Sequence, residues 1–71
     1  MKLLEKIIYE KPDEKELVMC YKIKVRLGSG KEETLEDCAS LIPKDDNDGK
    51  RYLTELIEDM IKQTLLSRWK H

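Results

Sequence analysis

One eleven-residue stretch constrains the fold more than any other part of the chain. Between Leu17 and Leu27 every odd-numbered position is apolar, whereas the even positions change from Val18 and Cys20 to cations. Period-two alternation with β-branched and aromatic residues is typical of a β-strand that buries one face. The pattern therefore predicts a strand over 17–27 whose odd face accepts an apolar partner.

A C-terminal helix can supply that partner. From Leu53 onward, apolar residues recur at the i, i+3, i+4, i+7 and i+8 spacing of one helical face. The acidic run 45–48 precedes this segment and offers capping side chains near the positive end of the helix dipole. We predict a helix over about 49–69. Its apolar stripe consists of Leu53, Leu56, Ile57, Met60, Ile61 and Leu65.

The segment after the strand begins with a glycine-rich turn at 28–30. If residues 31–41 return as a strand around this three-residue loop, opposed residue numbers sum to 58. Arg26 then faces Glu32 and Lys22 faces Glu36, and such opposite-charge pairs favour this register. The same register sets Cys20 opposite Cys38, within reach of a disulfide.

A short helix competes with that second strand. Leu35, Cys38, Ala39 and Ile42 match helical spacing, and Thr34 to Asp37 resembles a capping box. Several residues of this segment are also poor strand formers. We predict a strand over 31–34 and leave 35–42 open between strand and helix, with Pro43 ending either one.

The N-terminal segment fits either a strand or two helical turns. We favour a strand over about 3–10, joined to the 17–27 strand through a turn at 12–14 that places Ile7 beside Met19. The chain is then a single α+β domain over 1–71. Its predicted architecture is a two- or three-stranded antiparallel meander packed against one C-terminal amphipathic helix.

Composition argues against several classes of function. Fourteen Lys and Arg against fifteen Asp and Glu leave a net charge of −1, so bulk attraction to nucleic acid or anionic lipid is not expected. No apolar run approaches the length of a membrane span. The only histidine, His71, ends the chain, so neither cysteine nor any serine has an imidazole well placed to activate it. We expect no enzymatic activity and no cofactor.

Two charged motifs have a functional and a structural interpretation. The acidic loop 44–49 with Glu55 approaches the spacing of an EF-hand, but Lys44 takes the first ligand position and Arg51 an aliphatic one. We therefore expect a helix-capping loop and no metal site. The basic stripe Lys22, Lys24 and Arg26 could follow a phosphate backbone, but Glu32 and Glu36 would neutralise part of it.

An apolar surplus is the most informative feature for function. A single sheet and helix cannot bury every apolar residue, and exposed apolar clusters usually mark an interface. We predict a small non-enzymatic protein-interaction module in the cytoplasm, acting as a homodimer or as a subunit or regulator of a larger assembly. The alternative is a nucleic-acid-binding regulator that uses the basic stripe. The candidate interface residues are Leu4, Ile8, Val18, Cys20, Leu66 and Trp69.

Overall fold

Three antiparallel strands and one helix form the structure, a computed structural model that describes residues 1–42, 44 and 48–69, apart from the Trp69 side chain. The strands lie in the order β1-β2-β3, and the helix follows them in the chain. This α+β meander confirms the predicted fold class. The elements are β1 (Lys2–Lys11), β2 (Leu17–Arg26), β3 (Glu32–Leu41) and α1 (Gly49–Trp69).

The β2–β3 hairpin has the register that the charge pairs predict. Opposed residues run from Leu17 and Leu41 to Arg26 and Glu32 without interruption. The three-residue loop closes where the Leu27 N–H donates to the Lys31 carbonyl at 2.8 Å. Gly30 has a φ of 90°, in the left-handed region that a residue without a Cβ adopts at no steric cost. The open question over 35–42 is therefore resolved in favour of a strand, which ends at Leu41.

The predicted β1 register is wrong. Ile7 lies opposite Lys22, and Glu10 takes the predicted place beside Met19. Since the offset is an odd number of residues, the side chains of β1 exchange faces relative to the prediction. A β-bulge adds a second shift, because the register changes between Leu3 and Glu5.

The connection between β1 and β2 is organised by one carboxylate. Asp13 Oδ1 accepts hydrogen bonds from the backbone N–H groups of Lys15 and Glu16, each at 2.9 Å. These two bonds hold the pKa of Asp13 below its ordinary value, because they favour the charged form. The Lys44 ammonium also donates to the Asp13 carbonyl oxygen. The chain therefore bends at 14–16, later than the predicted turn at 12–14, and the strand register differs accordingly.

The core forms between the odd face of β2 and the predicted stripe of α1. Tyr21 lies within it, and its hydroxyl is 3.3 Å from Thr64 Oγ1 on the helix. This hydrogen bond gives the buried phenol a polar partner at the rim of an otherwise apolar layer. In the described part of the chain, no helix is both long and apolar enough to cross a membrane. The buried cluster comprises Leu17, Met19, Tyr21, Ile23, Val25, Leu53, Ile57 and Ile61.

Truncation to alanine should destabilise the protein much more on the buried face of α1 than on its exposed face. Ile57 has no exposed surface, so Ile57→Ala should lower the free energy of unfolding by ~2–5 kcal/mol through lost burial and a residual cavity. The matched variant Lys62→Ala, at an exposed position of the same helix, should stay within ~0.5 kcal/mol. Urea unfolding measures both variants, and equal midpoints would contradict the assigned face.

Candidate interaction surface

One face of the sheet lies against α1, and the opposite face, which we term the open face, has no second layer among the described residues. β2 divides the open face into an apolar end and a charged end, because its even residues change from Val18 and Cys20 to cations. At the apolar end, Tyr9 lies opposite Cys20. Ile7 is on the same side of β1, and its side chain is 53% exposed. Apolar side chains of β1 therefore meet solvent here, beside the half-buried Val18 of β2.

Two predicted interface residues are not where the sequence interpretation placed them. Ile8 lies opposite Tyr21 and packs against the core on the helix side, so it does not join Val18 on the open face. Leu4 is half-buried at the β-bulge. Ile7 and Tyr9 occupy the expected places instead. Leu3, Ile7 and Tyr9 fit one strand face in the sequence, but the β-bulge places Leu3 on the helix side, whereas Ile7 and Tyr9 lie on the open face.

The charged end of the open face is neutralised by β3. Lys22 Nζ lies 3.7 Å from Glu36 Oε1, and Lys24 Nζ lies 3.4 Å from Glu32 Oε1. Arg26 donates a hydrogen bond to Glu32 Oε2 at 3.0 Å. The Arg26 guanidinium first, and then Lys24, hold the pKa of Glu32 below its ordinary value. All three cations of the basic stripe therefore already have carboxylate partners.

A second exposed apolar group lies where the start of β1 meets the end of α1. Met1 and Leu3 line a shallow hollow of about 240 Å³ together with Leu65 and Leu66. Leu66 is 48% exposed, in agreement with its predicted place off the core stripe. The Trp69 side chain lies outside the described residues, so its role as an interface anchor stays a prediction.

Ion pairs join the helix to both outer strands. Lys6 Nζ lies 3.2 Å from Glu58 Oε2, which ties β1 to the middle of α1. Arg68 Nη1 lies 2.9 Å from Glu33 Oε2 on β3, and this contact is an ion pair without hydrogen-bond geometry. These pairs are partly exposed, and pairs of this kind contribute little free energy each. They connect α1 to the strands on either side of β2.

The described residues contain no group of three metal-ligating side chains. Asp45, Asp46 and Asn47 of the acidic loop, together with Pro43 and His71, lie outside those residues. The calcium-loop interpretation and the predicted capping role of these three side chains are therefore not tested here. Asp48 contributes a backbone contact, since its carbonyl accepts the Tyr52 N–H at 2.9 Å.

A disulfide crosses the open face between β2 and β3. Cys20 and Cys38 are bonded, and their Cα atoms are 4.0 Å apart in directly opposed positions. The predicted register is what brings these two residues within bonding distance, and the competing helix would have separated them. The bond joins a buried residue, Cys20, to an exposed one, Cys38.

Comparison with known proteins supplies no relative for this arrangement. No protein-family model, no curated protein and no solved structure matches the chain.

Oxidation of the two cysteines should give one intramolecular bond and a more stable fold. The bond closes a loop of 18 residues, so it should raise the free energy of unfolding by ~2–4 kcal/mol through the restricted unfolded chain. Denaturing mass spectrometry should show the mass of the single chain lowered by about two daltons and no covalent dimer. Urea unfolding with and without reductant measures the gain in stability. Cys38→Ser is the control, because reductant should leave its stability unchanged. An intermolecular bond as the main product would contradict the β2–β3 register.

Proposed function

We propose that this chain is a small non-enzymatic protein-interaction module that acts as a homodimer. The observation that carries the proposal is the concentration of exposed apolar side chains on β1. Ile7 and Tyr9 lie on the open face and are 53% and 40% exposed, whereas Leu3, opposite Val25, is 41% exposed on the helix side. Exposed apolar groups that cluster on one element are typical of a contact surface.

The environment of the charged groups favours a binding role over catalysis. Among the described residues no charged side chain is buried, so none sits in an apolar pocket that would tune its pKa for proton transfer. The two carboxyl groups with altered pKa values, Asp13 and Glu32, are exposed and have evident structural partners. The surface therefore offers contacts rather than reactive groups.

A second copy of the chain is the partner that best fits β1. The strand carries acids and bases in near balance, and charged patches that repel their own kind discourage self-association. A domain of this size has a small core, and oligomerisation is a common way to add to it. Closed two-fold dimers are the commonest symmetric solution. A nucleic-acid partner has less support, because phosphates would have to displace the carboxylates that pair with Lys22, Lys24 and Arg26.

Self-association should be visible as a dependence on protein concentration. Sedimentation velocity between ~1 and ~100 µM should show a monomer–dimer equilibrium. The midpoint of thermal unfolding should rise with protein concentration, because only folded chains associate and association therefore stabilises the folded state. Ile7→Lys should weaken the dimer about tenfold or more, since it places a charge among the exposed apolar side chains.

Ser40→Lys is the matched control for that variant. It adds the same side chain at an exposed position of the same face on β3, so the dimer should persist. A single 8.4 kDa species at every concentration, with a constant thermal midpoint, would refute the homodimer.

The proposed cytoplasmic location has a chemical test in the same two cysteines. A reducing compartment keeps such pairs as thiols, so protein alkylated at the moment of lysis should carry a label on both Cys20 and Cys38. The control is purified protein that has been oxidised in air and then alkylated under the same denaturing conditions. This protein should carry no label on either cysteine. An intact disulfide at lysis would place the protein in an oxidising compartment.

A further inference from the structure

The outer edge of β1 is a long, uncovered strand edge. β1 has ten residues and lies at one side of the sheet, so every second residue directs its N–H and C=O groups away from β2. The helix packs chiefly over β2 and β3 and does not cover this edge. Such a row of free donors and acceptors is a ready template for another strand.

We propose that β1 pairs antiparallel with β1 of a second copy, with Ile8 on the two-fold axis, to form a continuous six-stranded sheet. Opposed residue numbers across this junction sum to 16. The inference rests on the homodimer proposed above and specifies its contact. Backbone hydrogen bonds provide the junction, and the side chains select one register.

Symmetry and the β-bulge limit the possible registers. In a continuous antiparallel junction the two-fold axis is perpendicular to the sheet, so opposed residues share a face and their numbers sum to an even value. The bulge between Leu3 and Glu5 interrupts the regular strand, and β1 ends at Lys11. The regular stretch 5–11 is therefore the part that can pair, and Ile8 is its midpoint.

In this register every side chain of the stretch meets a suitable partner. Glu5 faces Lys11 of the second copy, and Ile7 faces its Tyr9, both on the open face. On the helix side, Lys6 faces Glu10 of the second copy, in addition to the ion pairs that these two residues make with Glu58 and Lys50 of their own helix. The two Ile8 side chains meet at the axis, and symmetry repeats each of the other pairs. Opposite charges and paired apolar groups on directly opposed residues stabilise a sheet.

Neighbouring even registers lack this complementarity. A sum of 12 places Lys6 opposite its own copy, and a sum of 20 does the same with Glu10, so like charges would meet. In the registers with sums of 14 and 18, the charged residues of the stretch face apolar residues or have no partner within the stretch. A sum of 14 places Lys6 opposite Ile8, and a sum of 18 places Lys11 opposite Ile7. Only the sum of 16 pairs all four charges of the stretch with opposite ones.

Two further observations favour this edge. Glu5 and Lys11 make no ion pair with any other described residue, so they are available to a second copy. The opposite edge of the sheet is not self-complementary, because the charges of β3 are all acidic and would repel their own copy. These residues are Glu32, Glu33, Glu36 and Asp37.

Charge reversal at Glu5 and Lys11 tests the register. Each single variant, Glu5→Lys or Lys11→Glu, turns two attractive pairs of the dimer into two repulsive ones, so its dissociation constant should rise roughly tenfold. The double variant restores both pairs with reversed polarity and should return to within about threefold of the original. Sedimentation equilibrium at low salt measures all of these constants.

Controls with the same charge changes lie away from the junction. Asp59→Lys on the exposed side of α1 and Lys31→Glu in the β2–β3 turn should leave the dissociation constant within about twofold. A measurement on the unaltered chain complements the variants. In dimers mixed from isotope-labelled and unlabelled copies, nuclear Overhauser contacts should connect Ile7 of one copy with Tyr9 of the other.

The outcomes separate this inference from the homodimer itself. A monomer at every concentration would refute both proposals. The β1 junction would be overturned, but not the homodimer, if the single charge reversals left the dissociation constant of the dimer unchanged. The same conclusion would follow if the double variant failed to restore that constant. Absence of the Ile7–Tyr9 contact in a stable dimer would do the same. Growth beyond the dimer would overturn the two-fold junction, because it indicates pairing of β1 with a different edge.

Discussion

The contact between the odd face of β2 and the apolar stripe of α1 is the interaction on which the rest of the structure depends. Ile23, Val25, Leu53 and Ile57 have no exposed surface, and no other described element offers a comparable apolar layer. Because this contact occupies one face of the sheet and the only helix of the described chain, nothing remains to cover the other face. The exposed apolar residues of β1 follow from that shortage of elements.

Much of this arrangement could be predicted from local patterns. The strand alternation and the helical stripe identify the two partners of the core, and the opposite charges of Lys22 and Glu36 identify the β2–β3 register. The segment 35–42 was undecided because its residues are weak strand formers. Pairing along the whole of β2 and the Cys20–Cys38 bond outweigh that weak local preference.

The position of β1 could not be predicted in the same way. Its charges do not single out a register against β2, where Lys2 even lies opposite Arg26. The register depends on a turn shaped by Asp13 and on a bulge near Leu4, and neither feature has a clear local signal. An odd shift moved Ile8 to the helix side and Ile7 to the open face. The error in a single register thus changed which residues of the candidate surface were named.

The disulfide gives some elements of the molecule a covalent link that the others lack. It links β2 to β3, and the helix packs chiefly over the same two strands, whereas β1 is joined to them without a covalent bond. Opening events in proteins begin in the units with the fewest ties. Detachment of β1 would break no covalent bond, and β2, β3 and α1 would keep the Cys20–Cys38 link and the buried core between β2 and the helix. An edge strand that is held without a covalent bond is also a strand that neighbouring copies could exchange in a domain swap.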